Sequence, residues 1–229
     1  MSIAVIGCGR SGTNMVLEML RGCPAFKASE PPENKGMLKD IRAYSANYLT
    51  KCDTCYIKTL SKIDELIAKN PTIKFLFTIR DPRDMAMSKL RRGAPKSEGG
   101  DCATLADDAT PDGCVEDIKH AVEIYKYLFE NHSNRTIIVQ MEDVLKDTKE
   151  TAELLCDRFD IKYCDEMLDF PIRMRLPAKK KRYKTIDKGQ IALWKYWQGY
   201  EDGWLKKKKF KMHLIFNELY QTAKFFGYE

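Results

Sequence analysis

Gly7-Cys8-Gly9-Arg10-Ser11-Gly12-Thr13 gathers three glycines, a fixed cation and two hydroxyls into seven residues. Glycines let backbone N–H groups approach an anion closely, and an arginine supplies charge that does not titrate. The strand-like run Ile3-Ala4-Val5-Ile6 precedes the turn, and Met15, Leu17, Met19 and Leu20 follow at helical positions, stopping near Gly22 and Pro24. The turn therefore joins a strand to a helix, whose N-terminus adds a favourable dipole. Two readings share these glycines. Gly7, Gly9 and Gly12 satisfy G-x-G-x-x-G, with Glu30 close to the place of a ribose-binding acid, as in an NAD- or flavin-dependent oxidoreductase. Against that, Arg10-Ser11-Gly12-Thr13-Asn14 sets a cation and hydroxyls where a dinucleotide site has small or apolar residues, a set that suits a doubly charged phosphate. A Walker A loop needs Gly-Lys-Ser/Thr here, and the lysine is missing, which argues against an ATP or GTP hydrolase.

A second constellation lies further along. Phe75-Leu76-Phe77-Thr78-Ile79 reads as a buried strand that runs into Arg80-Asp81-Pro82-Arg83-Asp84, and Pro82 suits the first turn of a helix. Arg80 then stands at a strand's carboxyl end, and Ser88 lies about two turns along the helix. Ligands of open α/β sheets bind at the carboxyl ends of strands, so Arg80 should share a crevice with the glycine-rich turn. The plainer reading is an Arg80 that only pairs with Asp81 or Asp84.

These two segments resemble the sulfotransferases, enzymes that take a sulfuryl group from 3'-phosphoadenosine 5'-phosphosulfate (PAPS) and release 3'-phosphoadenosine 5'-phosphate (PAP). The turn resembles the family's 5'-phosphosulfate loop, where an Arg or Lys precedes Ser-Gly-Thr; Asn14 replaces a second threonine. By that resemblance Gly9, Arg10, Ser11, Gly12, Thr13 and Asn14 hold the 5'-phosphate and sulfuryl group, while Arg80 and Ser88, at the family's spacing of eight residues, hold the 3'-phosphate. Arg182-Tyr183-Lys184 and Asp187-Lys188-Gly189-Gln190, before Trp194-Lys195, loosely resemble the segment that closes over the 3'-phosphate, with Lys188 and Gly189 as preferred contacts and Arg182 and Lys184 behind them. Val139-Gln140-Met141-Glu142-Asp143-Val144 resembles the family's strand-plus-Tyr-Glu-Asp-Leu segment, with Met141 in place of the tyrosine and the two acids structural.

The resemblance implies in-line sulfuryl transfer to a hydroxyl or amine, without a metal, with Arg10 and Lys58 as catalytic cations. Lys58-Thr59 resembles a Lys-Thr-His segment, and Leu60 replaces its histidine. Glu30 is then the candidate base, as in the tyrosylprotein and bacterial members, with Glu33 in reserve. The acceptor, whether sugar, lipid, small metabolite or peptide, is not legible, and the loss of the histidine leaves room for an inactive nucleotide-binding protein.

The elements that must position these groups follow from periodicity. Strand-like runs at Ile3 to Ile6, Phe26 to Ser29, Cys55 to Lys58, Ile73 to Ile79 and Thr136 to Met141 alternate with helical spacing, which implies a single α/β domain over 1–229, a mostly parallel sheet flanked by helices in a P-loop-like three-layer sandwich. Residues 93–113 read as a long loop, followed by helices near 115–131 and 149–159 and a closing amphipathic helix near Phe210 to Phe226. Apolar residues at 44% and charged residues at 31% are ordinary for a globular chain. The net charge of +6, concentrated in Lys179 to Lys184 and Lys206 to Lys209, suits an anionic ligand and carries no nucleic-acid signature. No leader and no apolar run of spanning length is legible, so a cytoplasmic protein is expected, its eight cysteines reduced and the lone Cys52/Cys55 pair structural.

Overall fold

The first strand, β1 (Ser2–Gly7), is buried along its whole length, because it lies in the middle of the sheet with helices on both faces. The computed structural model describes residues 1–28, 48–91, 110–173, 191–192 and 212–229. Among these, β1, β2 (Lys27–Ala28), β3 (Tyr48–Asp53), β4 (Ile73–Ile79) and β5 (Thr136–Gln140) form one sheet in the order β2-β3-β1-β4-β5, every adjacent pair parallel.

The helices are α1 (Thr13–Arg21), α2 (Ser61–Lys69), α3 (Pro82–Arg91), α4 (Pro111–His132), α5 (Met141–Lys146), α6 (Thr148–Phe159), α7 (Phe170–Arg173) and α8 (Met212–Phe225). Strand alternation divides the core by face. Ile3 and Val5 of β1 point to a cluster with α1, α5 and α6, whereas Ala4 and Ile6 point to a cluster with α2, α4 and Phe226. A third cluster joins Cys8 of the glycine-rich turn to Met85 and Met87 of α3, Cys114 and Ile118 of α4, and Ile215 and Leu219 of α8. The turn is thus anchored in apolar packing beyond the strand ends.

Most helices fall where their periodicity puts them. Pro82 opens α3, and Thr110 caps α4 by accepting the Gly113 N–H at 3.1 Å, with Pro111 in the first turn. One strand differs. The run Cys55 to Lys58 is not a strand: β3 ends at Asp53, and Thr54–Tyr56 is a single 3-10 turn. Tyr48 to Asp53 pairs residue for residue with β1, from Ser2 with Tyr48 to Gly7 with Asp53, and charged Lys51 and Asp53 within it disguise a buried strand. Among the described residues no disulfide joins one cysteine to another, Cys52 and Cys55 included. No helix of the described residues is long and apolar enough to cross a membrane.

Candidate phosphate-binding site

The turn after β1 is built by close approach and by left-handed backbone. A Cβ on Gly7 would sit 2.8 Å from the Thr78 carbonyl oxygen, so only glycine lets β1 and β4 keep their register there. Gly12 caps α1 at φ 97°, where a side chain would also press on the Met141 Cγ at 3.1 Å. Arg10 is left-handed too, at φ 79°. Ser11 is fully buried: its N–H donates to the Cys8 carbonyl at 3.0 Å, and its hydroxyl shares a 2.7 Å hydrogen bond with Thr78. Among the described residues no side chain caps α1, and no acid stands in its first turn, so the positive end of the helix favours an anion.

Arg80 lies beneath this turn, 2% exposed, with Nη1 donating to the Arg10 carbonyl at 3.4 Å and Nη2 3.8 Å from Asp84. Burial lowers the pKa of the guanidinium, and Asp84, Glu142 and Asp81 act against that shift. Asp81 is taken by Arg83, which reaches it through Nε at 2.9 Å and Nη2 at 2.8 Å. Glu142, at the start of α5, accepts the Asp81 N–H at 3.1 Å and the Tyr228 O–H at 2.8 Å, the structural role expected of it. The two motifs meet: Arg10 Nε donates to Ser88 Oγ at 2.9 Å, across 78 positions of sequence.

Four further charged groups border the turn, and the sequence reading passed over them. Lys89, next to Ser88, is 7% exposed; its ammonium lies 3.6 Å from a Cβ built on Gly9 and donates to Asp117 of α4 at 2.8 Å. On the other side of β1, Lys51 is 1% exposed and lies 3.4 Å from Asp53 Oδ1, which also receives the Thr13 hydroxyl in a long bond of 3.5 Å. The signal for Lys51 and Asp53 was two charges inside an otherwise apolar strand. For Lys89 and Asp117 there was none, because they lie on different helices.

Gly9, Arg10, Ser11, Gly12, Thr13, Asn14, Arg80 and Ser88 therefore stand beyond the carboxyl ends of β1 and β4, adjacent strands whose following connections run to opposite sides of the sheet, where open α/β sheets bind ligands. Lys58 does not stand at a strand end. It is exposed, two residues past the 3-10 turn. Glu30, Glu33, Arg182, Lys184, Lys188 and Gly189 lie outside the described residues, as does the basic run Lys206 to Lys209. His120 bonds the Ile57 carbonyl at 2.9 Å and His132 bonds Asp64 at 3.0 Å, so both serve packing between elements.

No family model and no curated protein matches the sequence. Solved structures do match in shape. The sulfotransferase domain of the olefin synthase from Synechococcus PCC 7002 has a TM-score of 0.63 at 16% identity, over 100% of this chain and 95% of that one. The sulfotransferase domain of the curacin biosynthetic pathway has a TM-score of 0.63 at 14% identity, over 99% of this chain and 97% of that one. The mouse sulfotransferase SULT7A1, solved with PAP, has a TM-score of 0.54 at 15% identity, over 93% and 87% of the two chains. With its all-parallel sheet and flanking helices, this chain has the α/β fold of the sulfotransferases.

Proposed function

We propose that the protein is a PAPS-dependent sulfotransferase. The observation that carries the reading is the 2.9 Å bond between Arg10 and Ser88, with Arg80 directly beneath, which joins the two anion-binding motifs in one crevice. The donor set fits the ligand, since a nucleotide with phosphates at both its 5' and 3' positions needs two cationic ends. Arg10, Ser11, Gly12, Thr13 and Asn14 hold the 5' end, with Gly9 admitting close approach; Arg80 and Ser88 hold the 3'-phosphate. Arg182, Lys184, Lys188 and Gly189 are proposed to close over it, and Lys58 to reach the reacting group from its exposed loop. PAPS supplies the activated sulfuryl group; the chain orients it, screens its charge and takes a proton from the acceptor, a role for which the resemblance offers Glu30, with Glu33 behind it, as one candidate.

The strand order weighs against the oxidoreductase. In a dinucleotide fold the second strand lies beside the first, so that its terminal acid reaches the ribose. Here β2, which leads towards Glu30, is the edge strand, with β3 between it and β1.

Calorimetry with PAP and with adenosine 5'-monophosphate tests the assignment. PAP should bind at least about tenfold more tightly, as expected for one added charge-assisted contact. Arg80→Lys, which keeps a charge beside buried Asp84 but loses the planar fork, should shrink that ratio. Equal affinity for the two nucleotides in the wild type would refute the reading.

A further inference from the structure

Resting on that reading, we infer that Asp53 is the group that takes the acceptor's proton. Three observations lead there. Asp53 is the last residue of β3 and pairs with Gly7, the first residue of the turn, so it stands at the sulfuryl end of the cradle, on the opposite side of β1 from Arg80 and Ser88. Its carboxylate is divided in use: Thr13 and Lys51 both meet Oδ1, while Oδ2 accepts no hydrogen bond among the described residues and the side chain keeps 17% of its exposure. Lys51 is buried two residues earlier on the same face of β3, a position that holds the carboxylate in place.

Strand order puts Asp53 beside the turn. Neighbouring strands lie about 4.8 Å apart, so β3 is one spacing from β1 and the edge strand β2 is two. A base must come within hydrogen-bond reach of the proton it removes. In the step, the acceptor's O–H proton passes to Asp53 Oδ2, and the electron pair left on that oxygen forms the new bond to sulfur. The bond from sulfur to the bridging oxygen of the 5'-phosphosulfate breaks, and its pair stays on the phosphate of the departing PAP. Asp53 then releases the proton to solvent.

Labelled PAPS, with 2-naphthol, a primary aliphatic alcohol and water as acceptors, tests this. Asp53→Asn should lower turnover at least about hundredfold, the usual worth of a positioned base. It should also abolish the acid limb of the pH-rate profile, and leave PAP binding unchanged or tighter, because a negative charge beside an anion site has gone. Should Asp53→Asn fold poorly beside buried Lys51, the double variant Lys51→Met/Asp53→Asn removes both charges and carries the same comparison. Turnover within about threefold of wild type with the acid limb intact, while Glu30→Gln abolishes it, would overturn the inference. So would a loss of PAP binding in step with stability in both Asp53 variants, the mark of a purely structural carboxylate. Failure of the wild type to prefer PAP over adenosine 5'-monophosphate would instead refute the sulfotransferase reading.

Discussion

At the scale of the residue, Arg10 shows how function and stability pull apart. Its φ of 79° is left-handed, a conformation that costs a side-chain-bearing residue about 1–2 kcal/mol and costs glycine almost nothing. Its side chain is exposed, so the bond to Ser88 returns little of that cost in water. An arginine kept in a glycine's conformation is explained by the charge it presents to a ligand. Arg10→Gly should therefore raise the melting temperature by about 2 °C while weakening PAP at least about tenfold, a stability–binding trade measurable by differential scanning fluorimetry and calorimetry. A variant that loses both stability and binding would show that Arg10 holds the turn together.

At the scale of the element, α3 and α4 are tied beside the turn by a buried ion pair as well as by apolar packing. Lys89 and Asp117 are 5% and 4% exposed at their side chains, and Cys8 packs in the same cluster. Breaking such a pair leaves one buried charge uncompensated, at about 3–5 kcal/mol, whereas removing both costs much less than the sum. Lys89→Met and Asp117→Asn should each lower the urea midpoint strongly, and the double variant should recover part of the loss; additive losses would mean that the two act independently. Elements also mark where the sequence could be read. Amphipathic spacing located α1, α4, α6 and α8, and the apolar run of β4 was legible because both faces are covered. β3 was not, since a lysine and an aspartate stand at positions that apolar patterning assigns to the core. Their mutual charge makes the burial tolerable, and that compensation is visible only once the strand is paired with β1. Lys58 was misplaced for the same reason: the apolar trio Cys55-Tyr56-Ile57 looked like the strand that lies a few residues earlier.

For the whole molecule, strand order weighs against the dinucleotide reading, which the glycines alone left level with the phosphosulfate one. The segment after α1 goes to the edge of the sheet, the chain returns to β3 beside β1, and the next crossover places β4 on the far side. This arrangement sets buried ion pairs on both sides of the turn, Arg80–Asp84 and Lys89–Asp117 on the β4 side and Lys51–Asp53 on the β3 side. A ligand held by the turn should stabilise only the folded chain. At a concentration of one hundred times its dissociation constant, such a ligand adds about 2.7 kcal/mol. For a chain of 229 residues that corresponds to a rise of about 5–10 °C in melting temperature. PAP should produce this rise, ATP a smaller one because it lacks the 3'-phosphate, and NAD none. Stabilisation by NAD alone would return the glycines to the dinucleotide reading.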